Sequence, residues 1–290
     1  MKTILEIVQD ITREFNSIST PTTLVTNSNN TIKQFKAILE KEAIRLSRYC
    51  DWARLRKEHE ITLDDSQEAY AFPGDFDRFI DATAWDSSNN WQLVGSLNPI
   101  EWQIEKNAVV SSGVRKRFTI KGAVDNKIFF SPIPGTSDAG DTIKFEYMTC
   151  NWLLPKTWVT GTSYAAGEYV SYNGNIYKTT SGGTSGSTAP THTSGSSSDG
   201  GVTWTYYSDC YDKIIADTDT PLLDEDLLAM GTIWRFMRQN GLPNYQDLRA
   251  EYEFERDKRA SAYRSARVLN MSKRGVSALI NNFPDTITGI

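Results

Sequence analysis

Between Ser181 and Gly201 the chain reads SGGTSGSTAPTHTSGSSSDGG, with one alanine and no larger aliphatic residue. Such a tract can bury almost nothing, so no core can be built from it alone. Whatever folds must fold around it. Either it is a flexible linker between two domains, or it supplies the loops of a small module inserted into a larger fold.

Helical and strand periodicities lie on both sides of the tract. Thr3 and Glu6 have capping-box spacing, and Ile4, Val8, Ile11 and Phe15 form one apolar stripe behind them. Thr31 and Gln34 repeat the cap before Ile32, Phe35, Leu39, Leu46 and Tyr49, a second and longer amphipathic helix. From about Ile61 to Met148 the runs EITLDD, EAYAF, FDRFIDATAW, RKRFTIKG, NKIFFSPIP and DTIKFEYM read as strands between Gly, Asp, Asn and Pro. Helix returns at Asp224, where Leu223, Leu227, Met230, Trp234 and Met237 form a stripe closed by Gly241 and Pro243. A last, mostly charged helix is predicted from Tyr245 to about Val268, with a basic C-terminal end.

The outer helices need one another to bury their stripes, which favours insertion over linker. The expected fold class is therefore α+β: an antiparallel α-helical bundle with a β-rich domain and a small all-β module inserted before the C-terminal helices.

Composition excludes several functions. The net charge of −5 argues against nucleic-acid binding as the main task, since phosphate contacts need a surplus of Lys and Arg. Cys50, Cys150 and Cys210 are far apart and odd in number, so buried thiols are expected rather than a disulfide framework. Glu6 and Asp10 interrupt any signal-peptide core, and no apolar run approaches a membrane span. A soluble protein made in the cytoplasm is expected.

Catalytic chemistry finds no foothold either. His59 and His192 are the only histidines; neither has metal-ligand spacing to a second ligand or a nucleophile motif beside it, so both are expected to be ordinary surface residues. Neither a P-loop nor a dinucleotide fingerprint is present, and no cofactor or metal is expected. Asp64-Asp65 and Asp224-Glu225-Asp226 are the densest acidic groups, and the latter suits a helix N-terminus better than a reaction. The chain is not expected to be an enzyme.

More specific are AYAFPGDFDRFIDATAWD, NPIEWQ, RKRFTIKG, FFSPIPG and DTIKFEYMTCNW, followed after the tract by ADTDTPLLDEDLLAMGTIWRFMRQNGLPNYQDLRAEYE. This ordered series resembles the head-to-tail adaptors of tailed phages, and is similar in organisation to the tail tubular protein A of short-tailed phages. The resemblance covers roughly Thr3 to Trp152 and Ala216 to Val268. It implies a structural protein of the virion neck, made in the host cytoplasm. It also implies a homo-oligomeric ring, typically of twelve copies, between the portal protein and the tail tubular or nozzle proteins. Genomic DNA would pass through the ring without specific binding, which suits an acidic chain.

WVTGTSYAAGEYVSYNGNIYKTTSGG, with the closing DGGVTW, departs from that pattern and resembles an inserted chitin-binding-type carbohydrate module. Asn173-Gly174 is a strong hairpin signal inside it. The expected domains are 1–155 with 208–268 as the adaptor domain, including a β-rich region over 61–150, and 156–207 as the carbohydrate-binding-like module. The Ser/Gly tract becomes the long loop before the module's last strand. The resemblance makes Trp158, Tyr164, Trp204 and Tyr206 candidates for stacking on sugar rings, although so small a module also needs aromatics for its core. Tail fibres are a further candidate partner for this module.

Residues 269–290 are expected to form an extended arm that docks on the portal. Leu269, Met271, Val276, Leu279, Ile280 and Phe283 would contact it, with Lys273 and Arg274 steering. The alternative function is a tail-associated protein that binds cell-wall glycan, or a peptidoglycan hydrolase.

Overall fold

The computed structural model describes residues 1–15, 18–107, 116–122, 127–154 and 156–263. Five α-helices occur among these: α1 (Ile4–Arg13), α2 (Asn30–Ser47), α3 (Pro99–Asn107), α4 (Glu225–Gln239) and α5 (Tyr245–Tyr263). Eight strands precede residue 150: β1 (Arg56–Thr62), β2 (Ala69–Ala71), β3 (Phe76–Phe79), β4 (Trp85–Asp86), β5 (Trp91–Gln92), β6 (Arg117–Lys121), β7 (Lys127–Ser131) and β8 (Thr142–Thr149). Six short ones follow: β9 (Ser163–Tyr164), β10 (Tyr169–Tyr172), β11 (Asn175–Ser181), β12 (Gly183–Thr184), β13 (Ser196–Asp199) and β14 (Val202–Ser208).

Local chemistry sets the helix starts. Thr3 and Glu6 close a complete capping box on α1. On α2 the cap is Asn29, whose side chain accepts from the Thr31 N–H, so the helix begins ahead of the expected Thr31. Asp224 caps α4 by accepting from the Asp226 and Leu227 N–H groups, which gives that acidic cluster a structural role.

Every named strand pair is antiparallel. β8 is the centre of one sheet, pairing with β1 on one side and with β3 and β4 on the other, while β5 extends it from β4. β2, β7 and β6 form a second sheet. A core of Ile61, Leu93, Phe118, Phe130, Ile143 and Phe145, among others, joins the two. Within this β region lies α3, which the strand pattern of 61–148 does not anticipate. Asn98 and Glu101 form a reciprocal cap around its first turn, and Trp102 anchors it.

The expected antiparallel α-helical bundle is not what forms. The structure is β-rich, with its sheets built from fourteen strands among the described residues, and the helices are scattered along the chain between them. The core around α1, α2, α4 and α5 is completed by Met148, Trp152, Ile176 and Tyr211 from outside the helices. Helical stripes here are buried partly by β segments, and period alone cannot reveal that partner. The α+β class itself holds.

The Ser/Gly tract is no simple loop. It contributes β12, paired with β9, and β13, paired with β14 in a four-stranded sheet ordered β10-β11-β14-β13. Its glycines permit close backbone approach: a Cβ on Gly183 would stand 2.4 Å from the Gly201 carbonyl oxygen. Asn173 and Gly174 adopt φ of 48° and 83°, the tight hairpin turn their pairing predicts.

Candidate functional site

The segment from β9 to β14 is fastened at its base by side chains that sequence separation hides. Cys150 and Cys210 are disulfide-bonded with a Cα–Cα distance of 5.7 Å. This corrects the expectation of unpaired thiols: the two are 60 positions apart in the chain but neighbours in space. Beside them the Tyr211 N–H donates to Asn151 Oδ1 at 2.5 Å, and Trp152 Nε1 donates to the Asp212 carbonyl at 2.8 Å.

Asp75 is the polar centre of this junction. Its buried carboxylate accepts from Lys57 Nζ at 2.5 Å, Tyr147 Oη at 2.8 Å and Thr149 Oγ1 at 2.7 Å. Burial and the Asp75 charge together push the Tyr147 hydroxyl well above its ordinary pKa, so it stays a donor. The Asn173-Gly174 turn packs onto the same place: a Cβ on Gly174 would lie 3.2 Å from Asp75 Oδ1.

The four aromatic candidates separate by burial. Tyr164 and Trp204 pack against each other with centroids 5.1 Å apart at the centre of a small core with Val170, Tyr177 and Val202. They are 2% and 0% exposed, so neither offers a ring face to a ligand in this structure. Trp158 is half-buried against Tyr172, and Tyr206 is half-buried with its hydroxyl donating to Asp209. Burial and Asp209 push the Tyr206 pKa up to about 12.

Tyr206 and Asp209 open onto a cleft of about 780 Å³, whose walls include His59, Phe72, Lys127 and Asn175. Sequence reasoning could not place this cleft, because its walls come from segments far apart in the chain. The two histidines are not the surface residues expected. His59 is half-buried beside Phe145, and desolvation holds its pKa below the ordinary value. His192 is half-buried near Tyr177, with both ring nitrogens buried and without hydrogen-bond partners among the described residues.

Outward surfaces are the other candidates. α3 buries Trp102 and Glu105 but leaves Ile100 and Ile104 at 74% and 61% exposure, and α5 leaves Phe254 at 66%. Large apolar side chains displayed on helices in this way suit protein contact. Leu269, Met271, Lys273, Arg274, Val276, Leu279, Ile280 and Phe283 all lie outside the described residues. Among the described residues there is no cluster of His, Cys, Asp and Glu able to hold a metal, and no helix long and apolar enough to cross a membrane.

The family model for the SU10 adaptor protein matches residues 2–178, more than half of the 290-residue chain. The chain belongs to the SU10 adaptor family. It is therefore a bacteriophage structural component, as the ordered motifs implied. No curated protein matches the adaptor. The matched region takes in α1 to α3, the first two sheets, β9, β10 and the first half of β11, ending at Lys178.

Proposed function

We propose that this adaptor forms a homo-oligomeric ring at the neck of a tailed-phage particle, between the portal and the tail, with DNA passing through its centre. Family membership carries the proposal. The exposed Ile100, Ile104 and Phe254 support it, since they are apolar surface that a single copy does not cover. A net charge of −5 suits a channel that DNA must traverse without being held. Tail tubular protein A of short-tailed phages is the organisation it would share.

Within this scheme residues 1–155 and 208–268 act as the adaptor domain, 156–207 as an inserted module, and 269–290 as an arm reaching to the portal. Particle reconstruction is the direct test: the chain should occupy a symmetric ring at the neck, and any other position rejects the proposal. Truncation after Val268 should leave a folded protein that no longer joins portal-bearing heads. Unchanged joining removes the arm from the scheme.

The cleft beside Tyr206 favours a second role for the module, glycan contact. Half-buried aromatic surface bordered by Asn175 and Asp209 is the chemistry that grips sugar hydroxyls and ring faces. Tyr206→Ala should then lower retention of the full chain on insoluble cell-wall polysaccharide. Equal retention of both proteins rejects this role.

A further inference from the structure

The adaptor's helices carry two outward faces of opposite charge. On α2, Lys33, Ala37, Lys41 and Arg45 recur every fourth residue, and all are exposed. Among the described residues, Lys33, Lys36, Lys41 and Arg45 have no carboxylate partner, nor has Arg238 across the way on α4. The acids of α2 are turned elsewhere. Glu42 is buried against Arg235 and Tyr252, and Glu40 accepts from the Ile214 N–H at 3.1 Å. Between α2 and α4 runs a groove of about 390 Å³, with Ala37 and Ile38 among its walls and Lys41, Arg45, Arg235 and Arg238 around it.

The complementary face is on α5. Asp247, Glu251 and Phe254 are spaced four and three, so they share one side of the helix, and all three are exposed. Asp247 and Glu251 have no cationic partner among the described residues, whereas Glu253 pairs with Arg249 and Glu255 with Lys258. The opposite side of α5 is fastened inward. Tyr252 bonds to Glu42 of α2, and Arg256 lies over the ring of Tyr49, just past the end of that helix. The acidic side of α5 therefore points away from α2, and it cannot reach the basic groove of its own chain.

We propose that the groove between α2 and α4 receives α5 of a second copy of this chain. Phe254 covers Ala37 and Ile38, while Asp247 and Glu251 pair with Lys41 and Arg45. Two different, mutually complementary faces make a head-to-tail contact, which closes into a ring when the rotation is right. The proposal rests on the ring described above and names the surfaces that join its subunits. The apolar wall of the groove and the matching acidic face on the same chain favour a protein occupant over duplex DNA. Charge pairing would set register and encounter rate, and Phe254 would supply the buried apolar contact.

Charge exchange tests this in the full-length chain, scored by sedimentation velocity and by incorporation onto heads lacking the protein. Lys41→Glu with Arg45→Glu, and separately Asp247→Lys with Glu251→Lys, should each cut incorporation roughly tenfold at low salt. The quadruple variant, with both faces exchanged, should recover most of it. Phe254→Ser should also reduce it. Circular dichroism checks that each variant folds, and Lys41→Gln or Glu251→Gln replaces any reversal that does not. Assembly indifferent to both reversals, or loss without recovery in the quadruple variant, overturns the interface. A ring that persists in the reversed variants would do so while leaving the ring itself intact. Absence of the wild-type chain from any ring on particles would remove both. Binding of a short DNA duplex that is lost with Lys41→Glu and Arg45→Glu, with assembly unaffected, would give the groove to DNA instead.

Discussion

Gly231 of α4 lies against the fully buried Glu42 of α2, so closely that a Cβ at position 231 would stand 2.7 Å from Glu42 Cγ. The Glu42 side chain cannot swing aside, because its carboxylate accepts from both Arg235 and Tyr252. Gly231→Ala should therefore destabilise the adaptor by about 1–3 kcal/mol through overpacking, despite alanine's better helix propensity. Denaturant midpoints of the two proteins measure this. Equal or higher stability of the variant would show that α2 and α4 can separate at no cost.

Removing the acid itself should be worse. Glu42→Ala takes the buried partner from Arg235, and breaking such a pair should cost about 3 kcal/mol, the low end for buried pairs because Arg235 borders the groove. Loss of the Tyr252 bond adds to it. Glu42→Gln, which keeps an acceptor, should retain part of the difference. A surface-like loss below about 1 kcal/mol for Glu42→Ala would count against a structural role for the pair.

The Cys150–Cys210 bond closes a loop spanning 60 positions, and a cross-link of that span restrains the unfolded chain by about 4 kcal/mol. Cys150→Ser, or reduction of the native protein, should lower the thermal midpoint by several degrees. Parallel melts with and without reductant provide the measurement. Identical midpoints would mean that the bond contributes nothing.

Deletion of residues 156–207 should leave a folded protein, since Leu153 bridges to Pro221 and the Leu154 N–H donates to the Thr220 carbonyl at 2.8 Å. It should nevertheless be less stable, because Ile176 of β11 is fully buried in the helix-bearing core. Ile176→Ala in the whole chain should cost about 2–5 kcal/mol by the same loss. Collapse of helical circular dichroism in the deleted chain would show the segment to be integral.

His59 gives a pH dependence of definite sign. Desolvation lowers its folded pKa below the ordinary 6.5 despite Asp75 and Glu60 nearby, so the unfolded chain takes up the proton first as pH falls. The His59 contribution is fully present above about pH 6.5 and declines as pH drops through the window between that value and the folded pKa. His59→Gln should flatten the fall in thermal midpoint between about pH 7 and 5. An unchanged slope would assign the acid sensitivity to other groups.

Local sequence alone determined the elements whose signals lie within a turn. Thr3 with Glu6, Asp224 before its leucines, and Asn173-Gly174 each satisfy their own nearby backbone, so composition at fixed spacing was enough. The same kind of signal marks α3, in Asn98, Pro99 and Glu101, but there it competes with strand patterns on both sides. Only the tertiary structure decided what the stripes face. Ile176 and Trp152 share a core with the helices, Cys150 meets Cys210, and Tyr164 and Trp204 spend their rings on burial while Tyr206 borders a cleft. It likewise placed the cations of α2 beside Arg238 of α4 and turned the free acids of α5 away from them. Periodicity specifies that a face is apolar or charged; which surface it meets depends on contacts between residues far apart in sequence, and their closure entropy is offset only when the whole chain packs at once.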